Sequence, residues 1–120
     1  MGSPHEIESF IGSSFRSVWA LELLLLLKRE ARSCPAQELV AMMRASPAVI
    51  ERALASLVAA GLADHDADGA SFMPVSDDIA LLVDETERMY HSRPDRVRRL
   101  IVASSNKGIT AFSDAFRLKD

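Results

Sequence analysis

Apolar residues along the chain fall into blocks of helical spacing, separated by short polar breaks. Residues 10–29 carry Phe10, Ile11, Phe15, Val18, Trp19 and five consecutive leucines, which predicts one long helix. From Val18 onward that helix is apolar on nearly every side, as in a helix buried all round at the centre of a fold or partly against a second subunit. A chain of 120 residues has few other elements to cover it, which favours the second subunit. Ser33 or Cys34 then reads as the cap of a second helix, with Pro35 near its first position and Ala36, Leu39, Val40 and Met43 on one face. Ala45 closes a short turn. Ser46 and Pro47 open a third helix, a capping hydroxyl followed by the residue whose missing N–H costs nothing there. Its predicted buried rows are Val49, Ile50, Ala53, Leu54, Leu57 and Val58, and Gly61 ends it in the left-handed conformation.

Beyond Gly61 the period changes. Two short extended pieces within residues 62–75 flank Asp68-Gly69, a hairpin signal, and Pro74 stops the second strand. Ser76 caps a fourth helix with Asp77 and Asp78 at its positive end, and Ile79, Leu82, Val83, Met89 and Tyr90 form its apolar stripe. Pro94 opens a fifth helix with Val97, Leu100 and Ile101 on one side. The polar run 104–108 breaks it, and Ile109, Phe112 and Phe116 make a last short amphipathic turn or helix. The expected fold class is mainly α with a small β-hairpin. One domain spans 1–120, with its core over 10–75 and a helical extension over 76–120.

Composition narrows the picture. At 48% hydrophobic and without low-complexity segments, the chain reads as one soluble globular domain. Its longest apolar stretch, Val18 to Leu27, falls short of the about 20 residues that span a hydrocarbon core in a helix. The following KREARSCP is no signal-peptide cleavage site, so a cytoplasmic location is expected and no membrane partner. The lone Cys34 agrees with a reducing compartment, and a small residue near a helix start is favoured over a redox sensor. Charge is uneven. Residues 35–91 set three arginines against ten carboxylates, whereas residues 92–120 hold seven basic and three acidic groups.

The order helix, helix, three-residue turn, helix, hairpin resembles a winged helix-turn-helix domain over roughly residues 15–75. Its carriers are PAQELVAMM, the turn RAS, SPAVIERALASLVAAGL and the Asp-Gly hairpin. LVAAGLADHD looks like the helix-to-wing junction of bacterial regulators, and the flanking helices resemble the dimerising arms of MarR-like regulators. The resemblance implies a third helix in the DNA major groove and a wing on the phosphate backbone. On that basis Arg52 is the candidate base reader, Ser56 a weaker one, and Arg44 and Ser46 are candidate phosphate contacts. The remaining outward positions, Ala48, Glu51, Ala55 and Ala59, offer little to a base edge. Phe10, Phe15, Trp19, Ile101, Phe112 and Phe116 are the candidate dimer interface. One departure is marked: MarR-like wings usually carry a tip arginine, whereas DHDADG holds three aspartates and no basic residue. Such a tip repels phosphates, which supply much of a DNA-binder's affinity.

Other chemistry is sparse. Asp64, Asp66, Asp68 and Gly69 match the opening of a calcium loop, but the ninth and twelfth positions are Phe72 and Val75, which carry no ligand oxygen on their side chains. The bland reading, an acidic hairpin tip, is preferred. His5, His65 and His91 show no metal-ligand spacing, and no phosphate loop or nucleophile elbow occurs, so no metal, no cofactor and no enzymatic activity are expected. Arg93, Arg96 and Arg99, with Arg98 and Lys107, form a basic patch. It reads as a solvated face, a nucleic-acid patch, or a complement to an acidic surface such as the 77–87 segment. Two functions follow as expectations: a regulator that binds double-stranded DNA as a homodimer, and a winged-helix adaptor for a protein of the transcription machinery.

Overall fold

The fold is built around Val18–Glu30 (α2), whose Ala20, Leu21, Leu23, Leu24, Leu26 and Leu27 are all buried. This computed structural model describes residues 3–104. The preceding helix, Pro4–Ser14 (α1), ends before α2 begins, so the single helix expected over 10–29 is two helices bent by 105°. The physical cause lies in residues 15–17. Phe15 takes an extended conformation and inserts into the core edge-to-face against Phe10, with ring centroids 5.9 Å apart. Ser17 is extended too, and its hydroxyl accepts the Ala20 N–H at 3.1 Å as the cap of α2.

Ala36–Met43 (α3) and Pro47–Ala59 (α4) pack on one another, and α4 packs on α2. Arg44 ends α3 in the left-handed region at φ 52°, where its N–H donates to the carbonyls of Ala41 and Val40. Gly61 lies at φ 76° after α4, as expected of a helix-ending glycine. Ala63–Asp66 (β1) and Gly69–Phe72 (β2) then pair antiparallel, with Asp66 opposite Gly69. The turn residues are therefore Ala67 and Asp68. Asp68 N–H donates to the Asp66 carboxylate at 2.9 Å, an Asx-type closure.

Cys34 does not cap α3. It is extended and exchanges two backbone hydrogen bonds with Ala70, each 2.8 Å, adding one residue of a third strand to the hairpin. Pro35 is left as the N-cap residue of α3, without a side-chain cap. Burial pushes the Cys34 thiol above its ordinary pKa, so at neutral pH it stays protonated and poorly nucleophilic.

Asp77–Ser92 (α5) is capped by Ser76, whose hydroxyl accepts the Ile79 N–H, and residues 94–104 form a further helical segment (α6). Val83 of α5 and Val97 and Ile101 of α6 reach the core. Lys28 of α2 ties α5 down by pairing with Asp84 at 3.1 Å and Glu87 at 2.7 Å, and Arg96 of α6 pairs with Glu8 of α1 at 2.5 Å. The long apolar helix is thus covered by its own chain and needs no second subunit to bury it. The architecture is mainly helical with a small two-stranded antiparallel sheet. No single described helix is long and apolar enough to cross a membrane.

Candidate nucleic-acid interface

The side of α4 away from the core is the surface that the sequence singles out. Ser46 starts the helix by accepting the Val49 N–H at 3.2 Å, and Pro47 occupies the first position. Ile50, Ala53, Leu54 and Leu57 are buried, which fixes the helix rotation and turns Ala48, Glu51, Arg52, Ala55 and Ala59 to solvent. Val58, expected inside, is 41% exposed, and Val49 is half-buried. The buried stripe is therefore narrower than the two apolar rows of the sequence.

Arg52 and Arg44 are both exposed. Arg44 projects from the left-handed residue that opens the turn into α4. Among the described residues, no ion pair reaches Arg44 or Arg52. Ser56 fares worse as a base reader. Its hydroxyl donates to the Ala53 carbonyl at 2.8 Å, which leaves it only as an acceptor. Ser46 keeps its proton for an external acceptor, because its oxygen accepts at the cap.

Beside α4 runs a groove of about 430 Å³. Arg16, Ser17 and Trp19 line it at the start of α2, and Val49, Arg52, Ala53 and Ser56 line it from α4. Trp19, 42% exposed, also lines a second, larger groove of about 750 Å³, whose other walls include Met42, Tyr90 and Arg98. In the sequence Arg16 reads only as the boundary of an apolar run. Ser17 marks the true start of α2, and that cap is the signal that puts Arg16 at a helix entrance rather than inside a helix.

The basic patch divides. Arg96 is held by Glu8, while Arg98 stacks over Tyr90 at 5.6 Å from the ring centroid and lies 3.5 Å from Asp95. Tyr90 in turn donates to Glu22 at 2.9 Å, and burial with this carboxylate holds its phenol above the usual range. Arg93 and Arg99 are exposed, with no ion pair among the described residues. Within the acidic 77–87 segment, Asp84 and Glu87 pair with Lys28 rather than with this patch. Lys107 lies outside the described residues.

Of the candidate dimer contacts, Phe10, Phe15 and Ile101 are buried within the chain and present no surface to a partner. Their apolar area is consumed where α1, α2 and α6 meet the core. Trp19 does present surface, whereas Phe112 and Phe116 lie outside the described residues. The three hairpin aspartates Asp64, Asp66 and Asp68 are exposed. No cluster of three metal-ligating side chains occurs among the described residues. The chain matches no family model, no curated protein and no solved structure.

Proposed function

We propose that the chain is a winged helix-turn-helix transcriptional regulator, MarR-like in kind, that works in the cytoplasm and binds double-stranded DNA as a homodimer. In this reading α2, α3 and α4 are the three-helix unit, α4 enters the major groove, and β1 and β2 are the wing. The observation that carries it is the exposed Arg52 on a helix held from behind by α2, α3 and β1, with Arg44 at the preceding turn. Dimerisation is assigned to the C-terminal helices, where Leu81 of α5 and Val102 of α6 are 51% and 49% exposed.

The test is a gel shift on duplexes selected from a random pool. Arg52→Ala should abolish the preference for the selected sequence, since one bidentate arginine–guanine contact is worth about 1–3 kcal/mol of discrimination. Wild-type-like shifts from that variant would sink the assignment. A second reading, an adaptor that docks a transcription-machinery protein, draws on the acidic hairpin and on Val58, Met73 and Val75, which are 41%, 54% and 74% exposed. It predicts no DNA shift from the wild-type protein, even at low salt.

A further inference from the structure

We infer that the junction of α4, β2 and α5 is a docking surface for a basic amphipathic segment of another protein. The inference rests on the adaptor reading for its surface and deepens it by fixing the chemistry of the partner. Val75 and Met73, 74% and 54% exposed, are the most exposed large apolar residues among those described, and Val58 is 41% exposed. Backbone hydrogen bonds gather the three at one place. The Gly61 N–H donates to the Val58 carbonyl at 3.1 Å, the Val75 N–H to Gly61 at 3.0 Å, and the Met73 N–H to Leu62 at 3.0 Å. Val75 sits so close over Gly61 that a Cβ there would lie 2.8 Å from one of its methyl groups. The platform is therefore held by its own backbone before any partner arrives, which lowers the ordering cost of binding.

Charge selects the occupant. From residue 53 to residue 87 the chain has eight carboxylates and neither lysine nor arginine. Glu85 is buried, and Asp84 and Glu87 pair with Lys28. Asp64, Asp66 and Asp68 on the hairpin, and Asp77 and Asp78 just beyond Val75, are exposed and make no ion pair among the described residues. An apolar patch beside such carboxylates favours a segment that offers two or three aliphatic side chains flanked by lysine or arginine. The same charge repels a nucleic-acid backbone and an anionic lipid surface. Two copies of this face repel each other as well.

Fluorescence anisotropy with a labelled helix-forming peptide of leucine and lysine, its leucines three and four residues apart, tests the surface. Wild type should bind it at least about tenfold more tightly than the same peptide with serine for leucine or glutamate for lysine. Met73→Ser combined with Val75→Ser should lower the affinity about tenfold or more. Asp77→Asn combined with Asp78→Asn should lower it at low salt and not at 1 M, where the Debye length is about 3 Å. Leu81→Ser combined with Val102→Ser changes exposed apolar positions elsewhere and should leave it unaltered. Val75→Lys, at a side chain open enough to accept a lysine, serves if the double serine variant melts early. Wild-type affinity in the Met73 and Val75 variants, or an equal loss in the Leu81 and Val102 variant, overturns the surface and leaves the adaptor reading to another face. A wild-type dimer that Val75→Lys dissociates also overturns it, since a second copy is then the occupant. Docking as expected by a protein that also shifts DNA supports the surface and removes only the adaptor reading's exclusion of DNA.

Discussion

At Gly69 the backbone adopts φ 132°, and a Cβ there would overlap the carbonyl carbon and oxygen of Cys34 and approach the Pro35 nitrogen to 2.7 Å. Both obstacles are backbone, so they cannot swing aside as a flexible side chain would. Gly69→Ala should cost more than about 2 kcal/mol, or roughly 8–16 °C in Tm for a domain of this size. A thermal melt checks it; a loss below about 3 °C would mean that the segment around Cys34 yields freely. The Asp68-Gly69 pair is visible in the sequence as a hairpin signal, and a hairpin is there. What the glycine does is not visible locally. It makes room for a strand residue 35 positions earlier in the chain, and no turn rule carries that information. The same holds for Cys34, whose neighbours in sequence suggest a helix start and whose partner in space makes it extended.

Elements are legible where caps and spacing agree. Ser46-Pro47 and Ser76 each begin a helix with the hydroxyl accepting a backbone N–H three residues on. Residues 10–29 look like one helix because apolar content at 15, 18 and 19 masks a cap at Ser17. The link between α2 and α3 depends on a different signal again. Arg32 pairs with Glu38 in the first turn of α3 and with Glu30 at 2.9 Å at the end of α2. The Arg32 guanidinium holds the Glu38 carboxyl below the usual range. Because the folded pKa is the lower one, the contribution of Glu38 to stability is complete above the ordinary glutamate value of about 4.3 and is lost as pH falls through the depressed one. Glu38→Gln should therefore be less stable than wild type at pH 7, with the difference shrinking as the pH drops below about 4. Urea midpoints measured across that range decide it. A difference that stays constant with pH would show that the charge on Glu38 contributes nothing.

For the molecule as a whole, the uneven charge along the chain takes on meaning only after folding. Asp84 and Glu87 belong to the acidic middle, yet both pair with Lys28 of α2 across the packing of α5, which offsets one of the two charges. That pairing joins positions 59 apart for Glu87, so segment totals could not anticipate it. Around the proposed interface, Asp64, Asp66 and Asp68 on the hairpin and Glu51 on α4 are exposed beside Arg44 and Arg52. If the proposed DNA-binding function holds, the hairpin charge sets how tightly DNA is held. Replacing all three aspartates with asparagine removes the repulsion and keeps the fold, since the amide side chain of Asp66→Asn retains an oxygen to accept the backbone N–H of residue 68 that closes the turn. Affinity for random duplex should rise roughly three- to tenfold at low salt, and the gain should fade as the Debye length shrinks toward about 3 Å at 1 M. Anisotropy titrations at low and high salt read both effects. If the triple variant binds DNA no better than wild type at low salt, the hairpin does not approach the backbone in the complex, and β1 and β2 are not a wing in the DNA-binding sense. The same variant losing a protein partner, with DNA binding absent throughout, is the outcome that the adaptor reading requires.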